Sequence, residues 1–195
     1  MFGYAIMPLT QLRRLMSMPI EKFNKLWKEM RAEVYAVQEW ALANPESNLR
    51  KRVLVRSMAS FVESSVSSLS EAILEATVPQ IPELYCVLSE TQFDLSDQGV
   101  IKKRIKQYPT VSRWRLLVNV LERTIGDDHW KVNFAEVGFN DLKTLFKVRN
   151  RITHPSSTKN MEVSAEEMTQ CVLGFTWFVK NYQGICKLPS KTSTL

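Results

Sequence analysis

Histidine is nearly missing from this chain: two residues in 195, His129 and His154. Cysteine is also scarce, and Cys86, Cys171 and Cys186 are odd in number with no CxxC pairing. A disulfide framework and a cysteine–histidine zinc site are therefore excluded, and a reducing, cytoplasmic setting is expected. Glycine (6) and proline (8) are sparse against 45% hydrophobic residues, which excludes a disordered or low-complexity chain and leaves enough apolar side chains to close a core. No window approaches the run of about 18 apolar residues that a membrane span requires. The opening "MFGYAIMPLTQLRRLM" places its arginines after the apolar part, the reverse of a secretory leader. No cluster of carboxylates is spaced to hold a metal, and no cofactor motif is found.

What is present is basic. The net charge is +6, and the excess is clumped: "LRKRVLVR" carries Arg50, Lys51, Arg52 and Arg56 with no acid. "IKKRIKQYPTVSRWR" adds Lys102, Lys103, Arg104, Lys106, Arg113 and Arg115. Such runs either attract a phosphate polyanion or are solvated faces that keep the protein in solution.

The apolar period is helical. Pro19 sits where a first-turn proline belongs, and Ile20, Phe23, Trp27, Met30, Val34, Val37 and Ala41 follow at three- and four-residue steps. "NPESN" interrupts, with Asn48 as the expected N-cap of a helix over 49–76 whose inward side is Leu54, Met58, Phe61, Val62, Val66, Leu69 and Ile73. A connector follows, with a short helix after Pro82 and a basic helical piece over 100–107. Trp114, Leu117, Val118, Leu121 and Ile125 mark a further helix closed by Gly126, and Asn140 is read as the cap of the next, with Leu142, Leu145, Phe146 and Ile152 on one side. In the last helix Ser164 and Glu167 form a capping box, and Gly184 is the expected stop. The fold class is all-α: a four-helix bundle from about residue 48 with an additional N-terminal helix.

The chemistry gathers at "FKVRNRITHP", residues 146–155. A residue before proline is pushed out of the α region, so the helix should end near Thr153 and leave His154 at its exit. Arg149 lies on the preceding turn, with Asn150 beside it. Arginine offers a planar fork of donors for phosphate oxygens, and histidine exchanges protons near neutrality. RNA carries its own nucleophile in the 2′-hydroxyl, so a base and a charge stabiliser suffice for transesterification. The plainer alternative is a histidine that answers the carbonyls at a helix C-terminus.

"VRNRITHP", at the end of the third core helix, resembles the R-N-x-x-x-H motif of the HEPN superfamily, small all-α domains of which many are metal-independent endoribonucleases in toxin–antitoxin, abortive-infection, phage-defence and CRISPR systems. The resemblance covers roughly 48–187 and rests on the motif and its placement. It divides the chain into an N-terminal tail and helical extension (1–47), a HEPN-like domain (48–187) and a C-terminal tail (188–195). It implies Arg149 as phosphate stabiliser, Asn150 as positioner and His154 as base or acid. The stretch "RSMASFVESSVSSL" is similar to the first core helix of such families, which makes Glu63 the acid that orients Arg149; an exposed helix carboxylate is the alternative. Members silenced by nucleotide addition carry a tyrosine two residues after the histidine, where this chain has Ser156, so that regulation is not implied. The resemblance further implies a homodimer in which both motifs face one cleft, with RNA as substrate and an antitoxin or defence-system protein as a possible partner.

His129, beside Asp127 and Asp128, reads as a solvated loop residue rather than a metal ligand. Trp114 and Trp130 either stack bases or fill a core. Two functions compete: a metal-independent endoribonuclease, and a non-catalytic helical module that binds RNA, a nucleotide or a protein. A simple DNA-binding domain ranks below both, because no helix-turn-helix is recognisable.

Overall fold

A computed structural model describes residues 9–77, 82–125 and 130–186, with side chains over 25–74, 84–123 and 130–185. The fold is mostly helical: α1 (Leu9–Leu42), α2 (Asn48–Thr77), α3 (Pro82–Leu88), a hairpin of β1 (Thr91–Leu95) and β2 (Ile101–Ile105), α4 (Thr110–Ile125), α5 (Val137–Thr153), a 3-10 turn (Thr158–Met161) and α6 (Ala165–Cys186). The described residues fall into two compact units, 24–65 with 130–186, and 9–23 with 66–77 and 82–125.

The first unit is organised by the expected helical stripes. Trp27, Val34 and Ala41 of α1 are buried at seven-residue steps, and Leu54, Met58, Phe61 and Val62 of α2 are buried as well. Between them runs an aromatic seam. Trp27 stacks on Tyr182 at 5.9 Å, Phe61 meets Phe175 edge-on at 5.4 Å, and the Tyr182 hydroxyl donates to the Ser65 carbonyl at 3.2 Å. Helices α5 and α6 pack closely at two glycines. A Cβ at Gly174 would fall on the Asp141 carbonyl and the Leu142 nitrogen, and one at Gly138 would fall on the Trp177 ring. Trp177 is held in that position, its Nε1 donating to Glu136 at 2.7 Å.

Several local expectations hold and others are corrected. The capping box is present: Glu167 N donates to Ser164 Oγ, and Ser164 N to Glu167 Oε2, both at 3.1 Å. Asn48 does not cap its own helix. Its side chain clips a distant loop instead, donating to Met161 O at 3.1 Å and accepting from Val163 N at 2.9 Å, while Ser47 Oγ accepts from Arg50 N. Helix α5 begins at Val137 after Glu136, ahead of Asn140, because Gly138 and Phe139 are drawn in against Trp177. Helix α1 begins at Leu9 and carries Pro19 in its interior. Gly184 does not end α6, which continues to Cys186; the glycine makes room for the Trp130 indole. Gly126 and His129 lie outside the described residues.

The second unit buries Val66, Leu69 and Ile73 of α2 with Leu84 and Leu88 of α3 and Trp114, Leu117, Val118 and Leu121 of α4. Trp114 is fully buried and serves the core, which removes it as a base-stacking platform. Arg113, part of the basic run, is also internal, donating to Glu90 at 3.0 Å and Ser70 at 3.1 Å. The main departure from sequence is 91–105, where the basic helical piece expected over 100–107 is strand β2. Ile101 and Ile105 share a side at a spacing of four, which a helix and a strand satisfy alike. The hairpin is closed by a turn in which Gly99 N donates to Ser96 O at 2.9 Å and Gly99 adopts φ +74°, the left-handed position that a three-residue hairpin loop reserves for glycine.

Candidate functional site

Helix α5 ends as the proline rule requires. Thr153 is its last residue, and His154 is the cap at φ −122°, ψ 62°, its N–H donating to Asn150 O at 3.0 Å. Two further donors answer the carbonyls of the last turn: Thr153 Oγ1 to Arg149 O at 2.7 Å, and Arg56 Nη2 from α2 to Ile152 O at 2.8 Å. Arg56 thus meets the negative end of the helix dipole and places a cation next to the motif. Sequence reasoning missed this role, although a signal was available. Arg56 and Glu63 are seven residues apart, so both lie on the α2 face that meets α5.

Arg149 is a quarter exposed and doubly engaged: Nη2 pairs with Glu63 Oε1, and Nη1 donates to Asn150 Oδ1 at 2.9 Å. Glu63, the residue expected to orient Arg149, is thus in contact with it. Glu63 is itself a third exposed, so the pair is screened by water and contributes about 1 kcal/mol or less to stability. The imidazole of His154 is exposed. Glu63, Arg149 and Asn150 are in direct side-chain contact; His154 joins them through the backbone, with no side-chain bond to the three among the described residues. Arg56 also lines a groove of about 360 Å³, with Ser57, Ser60, Phe61 and Ser64 of the same helix.

Arg151, two residues on, points to the far side of α5. It grips both Glu167 oxygens at 2.7 Å and donates to the carbonyls of Glu162 at 2.8 Å and Asn160 at 3.3 Å. One arginine of "RNR" thus ties α5 to α2 and the other ties it to α6. Replacing Arg151 with methionine should lower stability by about 1–2 kcal/mol, read as a reduced melting temperature.

Cys171, behind α5, is no reactive thiol. Burial, with Glu167 adding to it, Arg151 opposing and Asp141 adding, pushes its pKa up to about 12. Native protein at pH 8 should leave Cys171 unmodified by iodoacetamide while the half-buried Cys86 reacts, and denaturant should equalise the two, as read by mass spectrometry of the peptides. Because the folded pKa lies above the ordinary value of 9.0, stability from this group is complete below pH 9 and declines as pH rises toward 12.

Among the described residues no three His, Cys, Asp or Glu side chains converge as a metal site would need, and no helix is long and apolar enough to cross a membrane. Compared with protein-family models, with curated proteins and with solved structures, the chain finds no match in any of the three.

Proposed function

We propose that this protein is a HEPN-type, metal-independent endoribonuclease that cleaves RNA by attack of the 2′-hydroxyl on the adjacent phosphorus, acting as a toxin or phage-defence effector. The observation that carries the reading is the tip of α5, where Glu63 and Asn150 aim a partly exposed Arg149 and the chain turns out at once to present an exposed His154. Arg149 and the nearby Arg56 neutralise the phosphate and the charge that grows on the phosphorane. His154 removes the 2′-proton, and a second histidine protonates the departing 5′-oxygen. This chain offers one such residue per motif, so the reading places two copies about a two-fold axis with both motifs on one cleft.

The experiment is incubation of purified protein with total RNA in excess EDTA, with the ends of the products identified. Transesterification leaves a 2′,3′-cyclic phosphate and a 5′-hydroxyl, and a single 2′-deoxy substitution at a mapped cleavage site should block cutting there. Sedimentation at working concentration should give a dimer. The rival reading is a non-catalytic RNA- or protein-binding module, and it draws on the same Glu63–Arg149 pair, taken as a structural tie. Binding of RNA without cleavage by the wild type would decide for it.

A further inference from the structure

The nuclease reading leaves the β-hairpin unused. Its register sets Thr91 opposite Ile105, Gln92 opposite Arg104, Phe93 opposite Lys103, Asp94 opposite Lys102 and Leu95 opposite Ile101. Two bonds fix the phase of the ladder: Ser96 N donates to Val100 O at 2.9 Å, and Lys106 N to Glu90 O at 2.8 Å. In an antiparallel pair, opposed residues alternate between those that exchange backbone bonds and those that do not. Asp94–Lys102 and Gln92–Arg104 are therefore bonded pairs. Ile101, Lys103 and Ile105 belong to the other kind, and their N–H and C=O groups point away from β1, along the free edge of β2.

That edge is open. All five residues of β2 are exposed, and among the described residues no hydrogen bond reaches its outward groups. The side chains of the same three residues share a face with Phe93 and Leu95. Leu95 is 73% exposed, Ile101 70% and Ile105 82%, with Lys103 in the middle. The opposite face carries Lys102 and Arg104, and its single acid, Asp94, is already paired with Arg104 at 2.8 Å. Lys102 and Lys103 have no ion pair among the described residues.

These charges discriminate between occupants. A second copy adding antiparallel about Lys103 would set Lys103 against Lys103 and Lys102 against Arg104, a like-charge ladder. An acidic strand meets the opposite condition. We propose that the β2 edge is a docking site for an acidic strand of a partner protein, with the pattern apolar–acid–acid–acid–apolar that complements Ile101-Lys102-Lys103-Arg104-Ile105. It adds as a third strand through the backbone groups of Ile101, Lys103 and Ile105 and covers the apolar face with its flanking residues. A two-stranded ribbon is marginally stable alone, and a third strand supplies what it lacks.

The test uses the full chain and a labelled synthetic peptide with the core Val-Glu-Glu-Glu-Val, followed by fluorescence anisotropy. Its comparisons are a scrambled peptide of the same composition and one with lysine for glutamate. The core peptide should bind at least about tenfold more tightly than either. It should also slow amide exchange at Ile101, Lys103 and Ile105. Lys103→Ala should weaken binding several-fold by removing charge. Lys103→Pro also removes an outward N–H while sparing the hairpin's own ladder, and should weaken it by about a hundredfold. Retained protection of the Lys102 and Arg104 amides shows that the hairpin stands, and Ile105→Pro, at the strand end, should reproduce the loss. Equal binding of the scrambled peptide overturns the proposal, as does a Lys103→Pro variant no weaker than Lys103→Ala. So does protection of this edge by anionic phospholipid vesicles or duplex RNA in place of the peptide, or a concentration-dependent self-association that Lys103→Pro abolishes.

Discussion

On the proposed nuclease reading, His154→Ala lowers the rate of RNA cleavage by about a thousandfold, the middle of the range for loss of a positioned acid–base group. The imidazole is exposed and its backbone N–H, which closes the helix, is retained by alanine, so the variant should keep the wild-type melting temperature. Arg149→Ala should cost a comparable factor through loss of charge stabilisation. Arg149→Lys should recover little of it, because a point charge cannot bond Glu63, Asn150 and a phosphate oxygen together as the guanidinium fork does. The double variant should be hardly worse than either single one, as residues that act as a unit are not additive. Single-turnover cleavage with circular dichroism and sedimentation on each variant checks all of this. A His154→Ala protein that cuts at the wild-type rate would end the nuclease reading.

Gly174→Ala should be among the most damaging single substitutions in the protein. One added methyl would overlap the Asp141 carbonyl and the Leu142 nitrogen, which are backbone atoms in the middle of α5 with no rotamer to escape into. Relief requires α5 and α6 to move apart along their whole packed length, opening gaps around Leu142, Leu145 and Phe178. A loss of about 3 kcal/mol is expected, or roughly 10 °C in melting temperature for a chain of this size. Gly138→Ala should cost less, because what it meets is the Trp177 side chain. Thermal unfolding of the two variants side by side checks the ranking, and equal melting temperatures would contradict it.

The helices and the exit of His154 were legible in the sequence, because both follow from local rules. The inward residues expected for α2 are all buried, and Pro155 alone predicts where α5 stops. The partnership of Glu63 and Arg149 was legible only through the family resemblance, since 86 residues separate them in the chain. The hairpin was not legible as such: its two isoleucines fit either period, and the Ser96–Gly99 turn that decides the matter has the polar composition of any connector. Asn48 misled because the side chain that favours a helix start is equally able to bond a loop arriving from more than a hundred residues away. Local patterns predict that a polar group will be satisfied, but not by whom.

That last contact bears on how the imidazole is held. The segment leaving α5 is moored at its far end, by Asn48 to Met161 and Val163 and by Arg151 to Asn160 and Glu162, so His154 stands at the root of a strap tethered on both sides. On the proposed function, the entropy of confining that side chain is thereby spent during folding and not at each turnover. On the nuclease reading, cutting the mooring at Asn48 leaves every group of the motif in place, yet it widens the arc through which the imidazole wanders and should slow the chemistry from a distance.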